Sequence, residues 1–205
     1  MNIQQFCEMV QQMLGYFDQD TKLDDRAILA VADGFRGQVL GKRYRDDGHL
    51  PSGDYIRTYG SEPNERIVLF DDVAGSPLKY FDLPVTIANM SGDAAIRSIS
   101  NLIYPYVGWK RLSQGEIENF STGEMTQFGG KTAYWLEGQR VWAVNVPIGQ
   151  NEVLLKCVPC LTELDADDEV LGNSEIEGII RDMTVAALRE QKLTPQPQVN
   201  SPKSN

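Results

Sequence analysis

A single histidine, His49, is the whole imidazole supply of this 205-residue chain. Any Ser-His or Cys-His nucleophile would have to use it. It stands in a polar loop, Asp46-Asp47-Gly48-His49-Leu50-Pro51, and Ser91, in Asn89-Met90-Ser91-Gly92, lacks the first flanking glycine of a nucleophile elbow. A catalytic triad is therefore not expected. Cysteine is almost as scarce. Cys7, Cys157 and Cys160 are an odd set without repeating spacing, which is no disulfide framework. Reduced thiols in a cytoplasmic product are the simplest account. No apolar run approaches the roughly 20 residues needed to cross a bilayer. Met1-Asn2-Ile3-Gln4-Gln5 has neither the basic n-region nor the apolar core of a secretory leader. The chain is expected to be made in a cytoplasm and to stay soluble, with no membrane partner. Positive charge is in deficit, with a formal net charge of −10. A free nucleic-acid binder usually clusters bases to neutralise phosphates. Here an acidic surface suits solubility, docking on a basic partner, or a wall that DNA passes without sticking.

What is present fits one globular domain. Hydrophobic residues at 41% and charged residues at 23% are ordinary values, and this length buries a core without covalent staples. Ile3, Phe6, Val10, Met13 and Phe17 recur at helical spacing and predict a helix over residues 3–17. A second helix is expected from about residue 24 to 44, capped by Asp24 or Asp25, with Ile28, Val31, Phe35 and Val39 as its buried stripe. The two should pack as an antiparallel pair. Residues 46–63, rich in Gly, Asp, Pro and Ser, read as an extended loop. Strands follow at 67–70, 78–83 and 96–103. A short helix is expected over 113–120, where Ser113 and Glu116 have capping-box spacing. A hairpin over 132–146 turns at Gly138, and a third strand at 152–158 would extend it into a meander. Residues 163–177 are acidic and loop-like. Ser174-Glu175-Ile176-Glu177 then opens a last helix through Ile179, Ile180, Met183 and Ala187 to about Lys192. The expectation is an α+β domain over 1–192, in which the N-terminal helical pair and C-terminal helix pack with an antiparallel β-meander. Residues 193–205, with three prolines, form a tail that should be disordered alone.

Four fragments look like chemistry and each fails at a named position. Gly129-Gly130-Lys131-Thr132 resembles the end of a phosphate loop, but the first-glycine position holds Met125, and Ala133-Tyr134-Trp135-Leu136 continues as strand rather than helix. Cys157-Val158-Pro159-Cys160 has metal-pair spacing, but a structural zinc needs four ligands, and Cys7 and His49 are the sole further candidates of those types. A redox pair should open a helix, whereas this one ends a strand. Asp18, Asp20 and Asp24 suggest a cation loop, but Leu23 and Leu29 stand where glycine and glutamate belong. From Asp165 the same positions hold Val170 and Ile176. Nothing selects a catalytic carboxylate pair from the 29 acids. No catalytic, cofactor-binding or metal-binding residue is assigned, no cofactor is expected, and the chain is not expected to be an enzyme.

Lys42-Arg43-Tyr44-Arg45 is the one basic cluster. It suits a helix C-terminus, or it could pair with the acidic run at 163–177 of a neighbouring copy.

The order of parts resembles the head-to-tail connector, or neck-ring, proteins of tailed bacteriophages. The matching features are the N-terminal helical pair, the block Leu83-Pro84-Val85, and the hairpin Tyr134-Trp135-Leu136-Glu137-Gly138-Gln139-Arg140-Val141-Trp142. After these come the Asp167-Asp168-Glu169 loop and the closing helix. The likeness covers residues 1–192 in outline and is structural at every motif, so no functional residue is carried over. It implies a virion structural protein that forms a ring, twelve-fold by analogy. Portal protein and tail or further ring proteins would be its partners, with DNA threading the lumen without sequence-specific binding. The tail would order on a neighbour. The rival expectations are a small hydrolase or carbohydrate-active enzyme with two carboxylates ~5–10 Å apart, and an accessory cytoplasmic binding module.

Overall fold

The computed structural model describes residues 1–15, 23–48, 55–73, 78–90, 94–121, 131–168 and 174–193. The expectations for Phe17, Asp18, Asp20, His49, Ser91, Met125, Gly129, Gly130 and residues 194–205 lie outside them.

Helix α1, Ile3–Leu14, starts where its capping box dictates. The Asn2 side chain accepts from Gln5 N, and the Gln5 side chain accepts from Asn2 N, at 2.8 and 3.2 Å. It ends at Gly15, and its buried face is Ile3, Phe6, Cys7, Val10 and Gln11. Met13, expected on that stripe, is partly exposed instead. Helix α2, Asp25–Asp47, is capped by Asp24, whose side chain accepts from Arg26 N. It runs three residues beyond the expected end at Tyr44. Its seam is Ile28, Leu29, Ala32, Arg36 and Leu40, while Val31, Phe35 and Val39 flank it half-buried. Helix α4, Ser174–Leu193, buries Ile176, Ile180, Val185 and Leu188, and leaves Ile179 exposed.

The two N-terminal helices touch each other less than each touches α4. The unit is therefore a three-helix cluster rather than a bare antiparallel pair. Its ends are tied by charge and backbone. Met1 N pairs with Glu177 at 3.5 Å, and Arg189 donates to the Met13 carbonyl at 2.6 Å, supplying an acceptor-rich helix end with a cation. The first N–H groups of α1 are satisfied by the acidic segment: Ile3 N donates to Asp168 O and Gln4 N to Ala166 O.

Nine strands are present among the described residues, in two sheets. They are β1 Arg57–Tyr59, β2 Ile67–Val68, β3 Phe70–Asp71, β4 Leu78–Asp82 and β5 Ile96–Asn101. β6 Lys110–Arg111, β7 Ala133–Glu137, β8 Arg140–Val144 and β9 Glu152–Cys157 complete the set. Sheet one is centred on β9, with β1 and β2 in tandem along one side and β5 along the other, all antiparallel. Sheet two runs β3-β4-β8-β7-β6, antiparallel except for the β6–β7 pair. The sheets pack face to face over Ile67, Phe81, Ile99, Tyr134, Val141, Val153 and Leu155. The helical cluster closes one end of sheet one, against Ala88, Met90, Ala95, Val158 and Leu161. Helix α3, Gln114–Ser121, packs Ile117 over the outer face of sheet two beside Leu78, Val144 and Trp135.

The α+β class, with helices at both ends, is as the sequence indicates. Three details differ. β1 lies inside the segment read as loop, recruited by the edge of β9. Ile67-Val68-Leu69-Phe70 is not one strand. Val68 pairs with Glu152 in sheet one, Phe70 with Tyr80 in sheet two, and the chain changes sheet at Leu69. β9 does not extend the β7–β8 hairpin as a third meander strand. After β8, Asn145 takes a positive φ of 55°, a conformation Asn tolerates better than most residues, and 145–150 carries the chain across to sheet one.

Candidate functional site

The sequence fragments with chemical appearance are structurally committed. Thr132 Oγ1 donates to the Asn145 carbonyl at 3.0 Å, and Ala133 begins β7 directly, so Lys131-Thr132 opens no helix. Cys157 is buried in β9, and Cys160 Sγ donates to the Ile87 carbonyl at 3.3 Å. Burial pushes both thiols, and that of Cys7, up to about 12. They are poor thiolates. Asp24 is a helix cap and Asp25 accepts from Gln11 at 2.8 Å, so the cleft they share with Glu8 is built of engaged groups. No group of three or more His, Cys, Asp or Glu among the described residues is arranged to hold a metal ion.

The basic cluster and the acidic run meet, but within one chain. Arg43 pairs with Glu175 at 3.0 Å, Arg57 with Asp168 at 2.8 Å, and Arg97 lies 4.4 Å above the Tyr44 ring. Of the basic cluster, Arg43 takes Glu175 of the acidic run within the protomer. Glu116 is held in place by Lys110 Nζ and by Ser113 N and Oγ. Those donors hold its carboxyl down at about 2. Arg140 holds the Asp82 carboxyl below its ordinary range in the same way. Neither acid carries a proton to give near neutral pH.

The outer face of sheet two carries an aromatic row that crosses four strands. Phe70, Tyr80, Trp142 and Trp135 stand directly opposite one another in register. Their ring centroids are 5.7, 5.5 and 6.2 Å apart, within contact range for aromatic pairs. One register step further, Asp82, Arg140 and Glu137 form a charged row. The Arg140 guanidinium lies 4.2 Å over Tyr80, and Trp142 Nε1 donates to Glu137 at 3.0 Å. Tyr80 and Trp142 are therefore covered by Arg140, Phe70 at the end of the row stays exposed, and the row reads as a ladder that stiffens the sheet.

Apolar surface is exposed at the two opposite edges of the sandwich. At one edge, the open side between β1/β2 and β3/β4 forms a groove of about 570 Å³ walled by Tyr59, Ile67, Val68, Phe70, Phe81 and Val85. Phe70 is 54% exposed and Val73 65%. At the other edge the chain passes from β5 to β6 through 102–109. There Ile103, Tyr104, Tyr106 and Val107 face solvent, with Tyr106 97% exposed, and Ile148 stands out from the 145–150 crossing. A hollow of about 530 Å³ lies beneath Tyr104 and Val107, against Trp109, Lys131 and Pro147. Monomers rarely spend so many large apolar side chains on water without a partner. Sequence reading passed over this turn. Its signal is the apolar run Ile103-Tyr104-Pro105-Tyr106-Val107, which Pro105 takes out of a ladder.

No protein-family model matches the chain, and comparison with curated proteins returns no match. No helix among the described residues is long and apolar enough to cross a membrane.

Proposed function

We propose that the chain is a structural subunit of a tailed-phage virion. It forms a ring in the neck between portal and tail and lets DNA pass through the lumen without sequence-specific binding. The observation that carries this reading is the placement of exposed apolar side chains on two opposite edges of one sandwich, Phe70 and Val73 at one and Tyr104 and Tyr106 at the other. A ring of identical copies needs two different faces that fit each other, because a head-to-tail interface closes when its rotation closes. The commitment of the cysteines, Asp24, Asp25 and Glu116 to internal contacts fits a protein whose work is contact. The net charge of −10 suits a lumen wall that repels phosphate. The order of parts, likened above to neck-ring proteins, points the same way, by fold-level analogy. The carboxylate-pair hydrolase draws no support from Glu116 or Asp82, since such a pair needs one acid protonated.

Size measurement tests the reading. The purified chain is brought to high concentration, alone and mixed with a portal ring, and particle mass and images are recorded. A discrete ring, or addition to the portal ring, is expected. A chain that neither forms nor joins a ring under both conditions sinks the proposal.

A further inference from the structure

Resting on the ring reading, we infer that the Tyr104-Pro105-Tyr106 turn of one copy seats in the groove between Val68, Phe70 and Val85 of the next copy. Three observations meet in this assignment. The first is position. The groove lies at the β1/β2 and β3 edges, and the turn lies at the β5 and β6 edges. One copy therefore cannot satisfy itself, and a second copy of the same orientation presents the missing half. The second is shape and polarity. Tyr106 is 97% exposed and Ile103 75%, so the turn offers protruding anchors. The facing groove is a concavity walled by Ile67, Val68, Phe70 and Phe81. Aromatic anchors filling an apolar pocket are the usual energetic centre of an interface.

The third is charge. Glu65, Arg66 and Asp82 line the groove, and Glu62 and Asp72 stand close to it in sequence. Asp71 and Asp82 are paired with Lys79 and Arg140, and Arg66 with Glu152, so the acid at the groove that bears on a neighbour is Glu65. Residues 101–113, which carry the turn, contain no acid; Lys110 is held by Glu116, Arg111 follows it, and Lys131 lines the hollow behind the turn. An acid-rimmed groove meeting a base-flanked turn is complementary in sign. Such complementarity fixes register and rejects the inverted, two-fold pairing that would place acids against acids. It also accounts for how a chain of net charge −10 can associate with copies of itself.

Cysteine pairing tests the contact. Cys7 and Cys157 are buried, and a Cys160→Ser background removes the partly exposed thiol. Tyr106→Cys and Val68→Cys are made in separate chains, mixed at high concentration and mildly oxidised. A covalent dimer is expected in the mixture, with neither variant cross-linking alone beyond background. The chain carrying both changes should give a ladder of multimers, because its own two positions lie on opposite edges. Mass measurement of the same unmodified sample separates the two levels of the argument. Oligomers without the mixed cross-link overturn this contact and leave the ring reading standing. Monomer at every concentration, both alone and mixed with a portal ring, overturns both. As a second arm, Tyr106→Asp is expected to weaken self-association on the order of tenfold or more with the thermal midpoint unchanged. Unweakened association would overturn the assignment.

Discussion

Arg36 Nη1 lies 2.6 Å from the carbonyl oxygen of Pro159, 123 residues further along the chain. The same guanidinium stands 3.7 Å from Asp33, whose two carboxylate oxygens accept from Leu161 N at 2.8 and 2.9 Å. One turn of α2 thus holds the segment by which β9 leaves the sandwich, and this polar clamp joins the helical cluster to sheet one. Arg36 is 1% exposed. Its removal strands the Pro159 carbonyl and leaves Asp33 charged without its cation. Arg36→Met is expected to cost about 3–5 kcal/mol, measured by urea unfolding. Loss below 1 kcal/mol would mean that water replaces the guanidinium.

The same clamp sets a pH dependence. Burial raises the Asp33 carboxyl above its ordinary 3.8, although the Leu161 amide and Arg36 oppose it. The folded state therefore favours the protonated acid. The penalty for ionising Asp33 is absent below pH 3.8 and is fully expressed once pH has risen past the folded pKa. Arg36→Met removes a favourable cation and should extend that window upward. The stability deficit of the variant is expected to shrink as pH falls toward 4. A deficit constant from pH 7 to 4 would contradict this account.

Glu116 behaves in the opposite sense. Its carboxyl is held at about 2, against 4.5 ordinarily, by Lys110 and Ser113. The resulting support for the start of α3 is complete above pH 4.5 and lost as pH falls toward 2. Amide-exchange protection of α3 is expected to fall through that range before protection of β8 does. Glu116→Gln should show the loosened α3 already at neutral pH.

Two glycines of α2 make a controlled pair. A Cβ on Gly37 would overlap the carbonyl oxygen of Asn89, which is backbone and cannot swing aside, whereas a Cβ on Gly34 meets nothing within 4 Å. Gly37→Ala should destabilise by about 1–3 kcal/mol or more. Gly34→Ala should stabilise by about 0.5–1 kcal/mol through helix propensity. Equal effects in urea titrations would refute the close approach of α2 to the Asn89 backbone.

Trp142 touches Tyr80 and Trp135 across both neighbouring strands. Trp142→Ala removes two aromatic pairs and an indole hydrogen bond to Glu137, expected to cost about 2–4 kcal/mol. It should also abolish the near-ultraviolet circular dichroism of the stacked pair. Ring-contact mutants at Tyr106 should leave that signal intact.

Legibility in the sequence followed the range of the forces. Asp24 and Gly138 act on residues a few positions away, so the start of α2 and the hairpin could be read directly. Val68 and Phe70 are both apolar, and nothing local says that one pairs with Glu152 and the other with Tyr80. That division is made by partners distant in the chain. Arg36 occupies a core position because a carbonyl 123 residues away receives it, and no periodicity argument would place a guanidinium there. The candidate edges are less legible still. Tyr104 and Tyr106 look like core residues in sequence, and their exposure appears when β5 and β6 are seen to belong to different sheets.

The change of sheet at Leu69 has a mechanical consequence. Leu69 N is bonded to Asn151 O, with one flank of the strand laced to β9 and the other to β4. Tension applied at Phe70 along the chain would load the β9 ladder in shear, with its bonds strained together, rather than unzipping them one at a time. A neighbour gripping the groove would pull on both sheets at once, and the sandwich would answer as a single beam instead of two leaves that part.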